Sequence, residues 1–149
     1  MPRPEKKRMV HSPPLFSSFK PTGVGRRNLK AVELSLDEYE AIRLADYDGL
    51  AHAEAAELME ISRSTFTRLI DKARAKLAGF LINGGELRIA GGNVHFKGNI
   101  IKCIDCEHMF NTTFDKILRE CPSCGSERLL DMAGGFGHGR CCGRAGEGR

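Results

Sequence analysis

The sequence predicts a mainly α chain: a three-helix helix-turn-helix domain, then a short β-hairpin, then a small β ribbon built on cysteines. Three observations lead there. Apolar residues recur at helical spacing between positions 36 and 80. The period then changes to alternation around Gly91-Gly92. Two Cys-x-x-Cys pairs follow, Cys103/Cys106 and Cys121/Cys124.

The bulk composition fits such a chain. It has 149 residues, 41% hydrophobic and 28% charged, which is ordinary for a globular protein. There is no Trp and aromatics reach only 7%, so the core must be largely aliphatic. The net charge of +4 is unevenly spread. Residues 1–30 carry eight Lys/Arg against one Glu, residues 31–84 carry six against ten acids, and residues 85–149 carry nine against eight. A basic arm joined to a weakly acidic domain points to an anionic partner for the arm, or to a solvated tail. The basic N-terminus has no apolar stretch behind it, so it does not read as a secretory signal. Apolar runs such as "FLI" at 80–82 are too short to cross a bilayer. The expectation is a cytoplasmic protein with no membrane partner. Six Cys in that reducing compartment argue for metal rather than disulfides.

Residues 1–30, rich in Pro and basic residues, read as an arm or linker. The helical domain is expected over 31–84. Ser35 with Glu38 three residues on makes a capping box, so a first helix begins at Leu36, with Leu36, Tyr39, Ile42 and Leu44 as its apolar stripe. Gly49 is a terminator. A second helix is expected at 51–59, with Ala55, Ala56 and Met59 facing inward. After the turn "EIS", Ser62 caps a third helix over 63–82, whose core face is Phe66, Leu69, Ile70, Ala73, Leu77 and Phe80. "ELRIAGGNVHF" predicts a hairpin connector over 85–98. Residues 99–132 form the ribbon, and 133–149 a Gly-rich tail.

Small residues at Ala55 and Ala56 let two helices cross steeply, and Ile61 plugs the space between them. The third helix then exposes Arg63, Ser64, Thr67, Arg68, Lys72, Arg74 and Lys76, with Asp71 the only acid. Side chains near the start of such a helix can read the major groove. Arg63 and Arg68 suit guanine edges, while Ser64 and Thr67 suit base edges or a thymine methyl. Lys72, Arg74 and Lys76 suit phosphates. The plain alternative is a packed helical hairpin with a solvated basic face.

"LSLDEYEAIRLADYDGL", "EAAELMEISRSTFTRLIDKARAKLA", "NGGELRI" and "GGN", with "PRP" and "FKPTGV" before them, closely resemble an uncharacterised prokaryotic family of predicted DNA-binding proteins, the domain of unknown function 134. The resemblance runs over residues 1–97. The helix-turn-helix itself resembles region 4 of sigma factors, within the winged-helix and homeodomain-like class. That resemblance implies major-groove binding through Arg63, Ser64, Thr67 and Arg68, without implying sigma activity. Two positions depart from the motif. Glu60 stands in the turn where Gly is usual, and a positive φ there costs about 1 kcal/mol. Ala51 stands where a Ser or Thr cap often begins the second helix.

Cys103-Ile-Asp-Cys106 and Cys121-Pro-Ser-Cys124 are fourteen residues apart. Two such knuckles complete a tetrahedral four-cysteine site as in zinc ribbons, with Gly125 allowing the second to close. Four protein ligands leave no open position, so the expected ion is one structural Zn2+. Iron is the rival, because rubredoxin-like ribbons share "CPSCG", but Glu107 stands where those knuckles favour Gly. His138, Cys141 and Cys142 read either as a second labile metal or redox site, or as incidental thiols in a Gly-rich tail.

The expected function is sequence-specific binding of double-stranded DNA by a transcription regulator, with Arg3, Lys6, Lys7 and Arg8 of the arm on phosphates or the adjacent minor groove. One recognition helix covers only a few base pairs, which leaves room for a homodimer. The alternatives are an adaptor whose ribbon contacts RNA polymerase or another protein, and a metal- or redox-responsive regulator. No paired carboxylates, nucleophile–base set or phosphate loop point to an enzyme.

Overall fold

The computed structural model describes residues 7–138 and corrects the expected fold class. Among these residues about 36% are helical and 21% lie in strands, with four helices and three small sheets. The chain is therefore not mainly α, and no three-helix domain followed by a single hairpin is formed. It divides into two compact units. Among the described residues, the first holds 7–9 and Phe16–Val94, and the second holds Val10–Leu15 and 95–138.

In the first unit, β2 (Ser18–Phe19), β3 (Ala31–Leu34) and β4 (Glu86–Ile89) form one sheet in the order β2-β4-β3. The β3–β4 pair is parallel, with Ala31 opposite Glu86 and Leu34 opposite Ile89. All the main helices lie between these two strands in sequence. The helix α1 (Leu36–Ile42) begins at the expected capping box: Ser35 Oγ accepts from the Glu38 N–H, and the Glu38 carboxylate accepts from the Ser35 N–H at 2.9 Å. It runs on into a π-helical turn over Arg43–Tyr47, in which the Asp48 N–H donates to the Arg43 carbonyl at 2.8 Å. Next come α2 (His52–Met59) and α3 (Arg63–Asn83). Ala41, Leu44, Ala55, Ala56, Met59, Phe66, Leu69 and Ile70 make the core of these helices, with Ile61 packed against it. Leu77 and Phe80, expected in that core, are only half-buried.

The expected hairpin fails for a specific reason. Both edges of β4 are occupied, by β2 and by β3, so it has none left for the strand that follows it. That strand, β5 (Val94–Phe96), belongs instead to a two-stranded sheet with β1 (Arg8–Val10). Gly91 and Gly92, with φ of 79° and 97°, do turn the chain. Their loop, however, closes onto the start of α1, where the Leu36 N–H donates to the Gly91 carbonyl at 3.0 Å. β1 and β2 arise from the stretch read as an arm.

In the second unit, β6 (Asn99–Cys103) is the centre of a sheet, flanked antiparallel by β7 (Met109–Thr112) and β8 (Leu129–Asp131). A one-turn helix, α4 (Met132–Gly135), follows with Asp131 as its N-cap. Buried Asn99 ties these pieces together. Its amide donates to Asp131 Oδ1 at 2.6 Å, and its oxygen accepts from the Ile100 and Ala133 N–H groups. A buried side-chain amide with its donors and acceptors satisfied adds directional specificity that an apolar contact lacks.

Candidate functional site

The ribbon carries a candidate metal centre. Cys103 ends β6, Cys106 lies three residues on, and Cys121/Cys124 repeat the spacing before β8. The two knuckles share one hydrogen-bond pattern. The Glu107 N–H donates to the Cys103 carbonyl at 2.9 Å, and the Gly125 N–H to the Cys121 carbonyl at 2.8 Å. The Cys103 N–H donates to the His108 carbonyl, and the Cys121 N–H to the Ser126 carbonyl. Glu107 and Gly125 both take left-handed φ, 62° and 76°. The chain thus reverses twice in the same way and presents four thiols to one point. The four Sγ atoms lie within 4.8 Å of one another, close enough to bind a metal ion.

The separations fit that role. Cys103 and Cys124 sulfurs are 3.5 Å apart, and those of Cys106 and Cys121 are 3.6 Å apart. Sulfurs bonded in a disulfide would be at about 2.05 Å. A tetrahedral thiolate site with bonds of about 2.3 Å places them about 3.8 Å apart. Electrostatics agrees. Hydrogen bonds from the Cys106 backbone, and others around it, outweigh burial and bring Cys103 down to about 7. The Ser126 N–H also pulls Cys124 down, but its hydrogen bonds with Cys103 and Cys106 and its burial outweigh that, and it rises to about 12. Four adjacent thiols cannot all ionise without a cation among them.

Asp105, Ser126 and Arg128 brace the centre, and the sequence alone does not single them out. The Asp105 carboxylate accepts from the Ser126 hydroxyl and from Arg128 Nη1, the latter at 2.6 Å. This links one knuckle to the other. The signal is faint: an acid inside one Cys pair and a base four residues beyond the other.

The second candidate surface is α3. Its N-cap is Ser62, whose Oγ accepts from the Thr65 N–H at 3.2 Å. Glu60 closes α2 with φ 57° and ψ 44°, a left-handed conformation at the position where Gly is usual. Arg63, Ser64, Arg68 and Lys72 are exposed. Thr67 is half-buried, and its hydroxyl lies 3.0 Å from His52 Nδ1 on α2. Arg74 donates to Asp46 at 2.6 and 3.1 Å, and that hydrogen bond holds the Asp46 carboxyl below the usual carboxylate range. Lys76 donates to the Glu33 carbonyl and to Glu38 Oε1, at 2.8 and 2.7 Å. These last two bases are therefore engaged within the fold. Among the described residues, Arg63, Arg68 and Lys72 form no ion pair.

Of the arm residues, Lys7 is exposed, while Arg8 in β1 is bonded to Asp37. Arg3 and Lys6 lie outside the described residues, as do Cys141 and Cys142. His138 is described, and its ring stacks on Phe114 with centroids 3.9 Å apart.

Fold and site together define a small protein of two compact units, one with three main helices placed in sequence between two strands of a sheet, the other a ribbon carrying four clustered cysteines. The chain belongs to the family described as protein of unknown function DUF134, whose pattern matches residues 1–97. It is 49% identical over 143 residues to a UPF0251 protein of Chloroherpeton thalassium, covering 94% of this chain and 95% of that one. It is 43% identical over 146 residues to one from Chlorobaculum tepidum, covering 94% of this chain and 74% of the relative. A third, from Moorella thermoacetica, is 42% identical over 150 residues and covered at 99% on both sides. No solved structure matches the chain. No helix among the described residues is long and apolar enough to cross a membrane.

Proposed function

We propose that this protein is a sequence-specific regulator of transcription that binds double-stranded DNA through the exposed face of α3. The observation that carries the reading is the partition of basic side chains along that helix. Arg74 and Lys76 are engaged by Asp46 and Glu38, whereas Arg63, Arg68 and Lys72, all in the first half, present their charge to solvent. A protein that needed those charges only for solubility would have no cause to segregate them. Arg63 and Ser64, at the first turn, meet base edges, and the later cations lie nearer the backbone. The ribbon is held by one structural Zn2+, since four thiolates fill a tetrahedral shell and leave no position for chemistry.

Selection of genomic fragments by the zinc-loaded protein tests this reading, with Arg63→Ala run beside the wild type. A shared short sequence recovered by the wild type and lost in the variant is the expected result. Recovery of no common sequence overturns it. A second reading, an adaptor that contacts RNA polymerase or another protein, draws on exposed Ile104, Ile117 and Leu130 of the ribbon unit. An adaptor would bind DNA weakly and without a steep dependence on salt.

A further inference from the structure

The geometry points to a cleft beside α3 as the seat of a single backbone phosphate of DNA, held jointly by Arg8, Arg68 and Lys72. This inference rests on the DNA-binding reading and deepens it. The cleft measures about 240 Å³ and is lined by Arg8, Thr65, Arg68, Leu69 and Lys72. Three cations and no acid form its wall. Arg68 and Lys72 are four residues apart on α3, hence on one face and one turn from each other. Leu69, 7% exposed, contributes an apolar wall beside them.

Arg8 comes from β1, far away in sequence, and its orientation is fixed. Its Nη1 donates to Asp37 Oδ2 at 2.6 Å. Asp37 is itself fixed, because Oδ1 accepts from the Ser35 hydroxyl and from the Glu38 N–H. The capping box of α1 therefore anchors an arginine at the edge of the cleft. The Asp37 carboxylate engages the guanidinium through Nη1 alone, and the remaining N–H donors stay available for an anion. A phosphodiester carries one charge and two free oxygens, which suits a fork from Arg8 and point charges from Arg68 and Lys72. On this assignment Arg68 is a backbone contact, and discrimination among bases falls to Arg63 and Ser64.

The test measures binding of the full-length, zinc-loaded protein to a labelled mixed-sequence duplex over a range of salt concentrations. Each phosphate neutralised contributes about 0.9 to the slope of log affinity against log salt. Wild type, the single variants Arg8→Gln, Arg68→Gln and Lys72→Gln, and the triple variant are compared, with Arg74→Gln as a control on the same helix. If the three residues share one phosphate, the triple variant loses about one unit of slope, and Arg74→Gln loses none. A loss of about two units or more in the triple variant would mean separate phosphates and would overturn the shared seat. Unchanged slope and affinity in the triple variant would overturn the cleft altogether while leaving the DNA reading standing. Absence of salt-dependent binding by the wild type would overturn both. Lys72 is exposed, so its variant is expected to fold, and retention of zinc and of helical circular dichroism checks the others.

Discussion

Glu107 and Gly125 occupy equivalent places in the two cysteine knuckles, each with a left-handed φ and each donating its N–H to the carbonyl of the first cysteine. Only one of them is glycine. A side chain in this conformation costs about 1 kcal/mol. Glu107→Gly is therefore expected to stabilise the zinc-loaded ribbon by about 1 kcal/mol, less the added entropy of the unfolded chain. Gly125→Ala is expected to destabilise it by a similar amount, through φ alone, because no atom lies within 4 Å of the added carbon. Thermal unfolding of the two variants beside the wild type decides it. Equal effects of the same sign would show that the knuckles are not equivalent.

Metal uptake should release protons. Hydrogen bonds from the Cys106 backbone favour the Cys103 thiolate, whereas the hydrogen bonds of Cys124 with Cys103 and Cys106, and its burial, hold the proton on Cys124. All four ligands must be thiolates in the loaded site, so affinity rises with pH and metal is lost on acidification. Calorimetric titration of the metal-free protein with Zn2+ in buffers of different ionisation enthalpy measures the number released. Cys121→Ser should abolish stoichiometric binding. Because α1, α2 and α3 share a core that contains no cysteine, most of the helical signal should survive that substitution.

The Asp46–Arg74 pair gives a pH-dependent term of known sign. The hydrogen bond from Arg74 lowers the folded pKa of Asp46. Its stabilisation is thus present above the unfolded value and disappears as pH falls through the depressed folded one. Both side chains are more than a third exposed, so the term is small, within about 1 kcal/mol. Asp46→Asn should be slightly less stable than wild type at neutral pH and equal to it in strong acid. Denaturant titrations at the two pH values compare them.

Sequence signals are legible where the physics is local. The Ser35/Glu38 capping box, the Ser62 cap, the left-handed turn at Glu60 and the approach of the four cysteines all involve groups a few residues apart or a fixed ligand spacing. Legibility fails where a distant partner decides. Gly91-Gly92 does turn the chain, but β4 has both edges occupied by strands from residues 18–34, so no hairpin forms. Nothing in "ELRI" says that its neighbour is "AVEL", some fifty residues earlier, running parallel. The strands β1 and β2 span three and two residues and carry no alternation that could be recognised. Pairing is equally hidden on α3. Arg74 and Lys76 resemble Lys72 in sequence, and only the fold places Asp46 and Glu38 beside them.

That parallel pairing depends on one glycine. An added carbon at Gly85 would collide with the carbonyl of Lys30, a backbone atom that cannot swing aside. The same carbonyl accepts from the Glu86 N–H at 2.8 Å, the first rung between β3 and β4. Gly85→Ala must therefore either open this rung or shift β3, and such overpacking costs about 1–3 kcal/mol. Gly79 tests the contrast, since it lies on α3 with open space around it. Gly79→Ala should stabilise the helix by up to about 1 kcal/mol. Opposite signs for the two substitutions in equilibrium unfolding are the expected outcome. If Gly85→Ala proved neutral, the pairing of β3 with β4 would not depend on a glycine at this position.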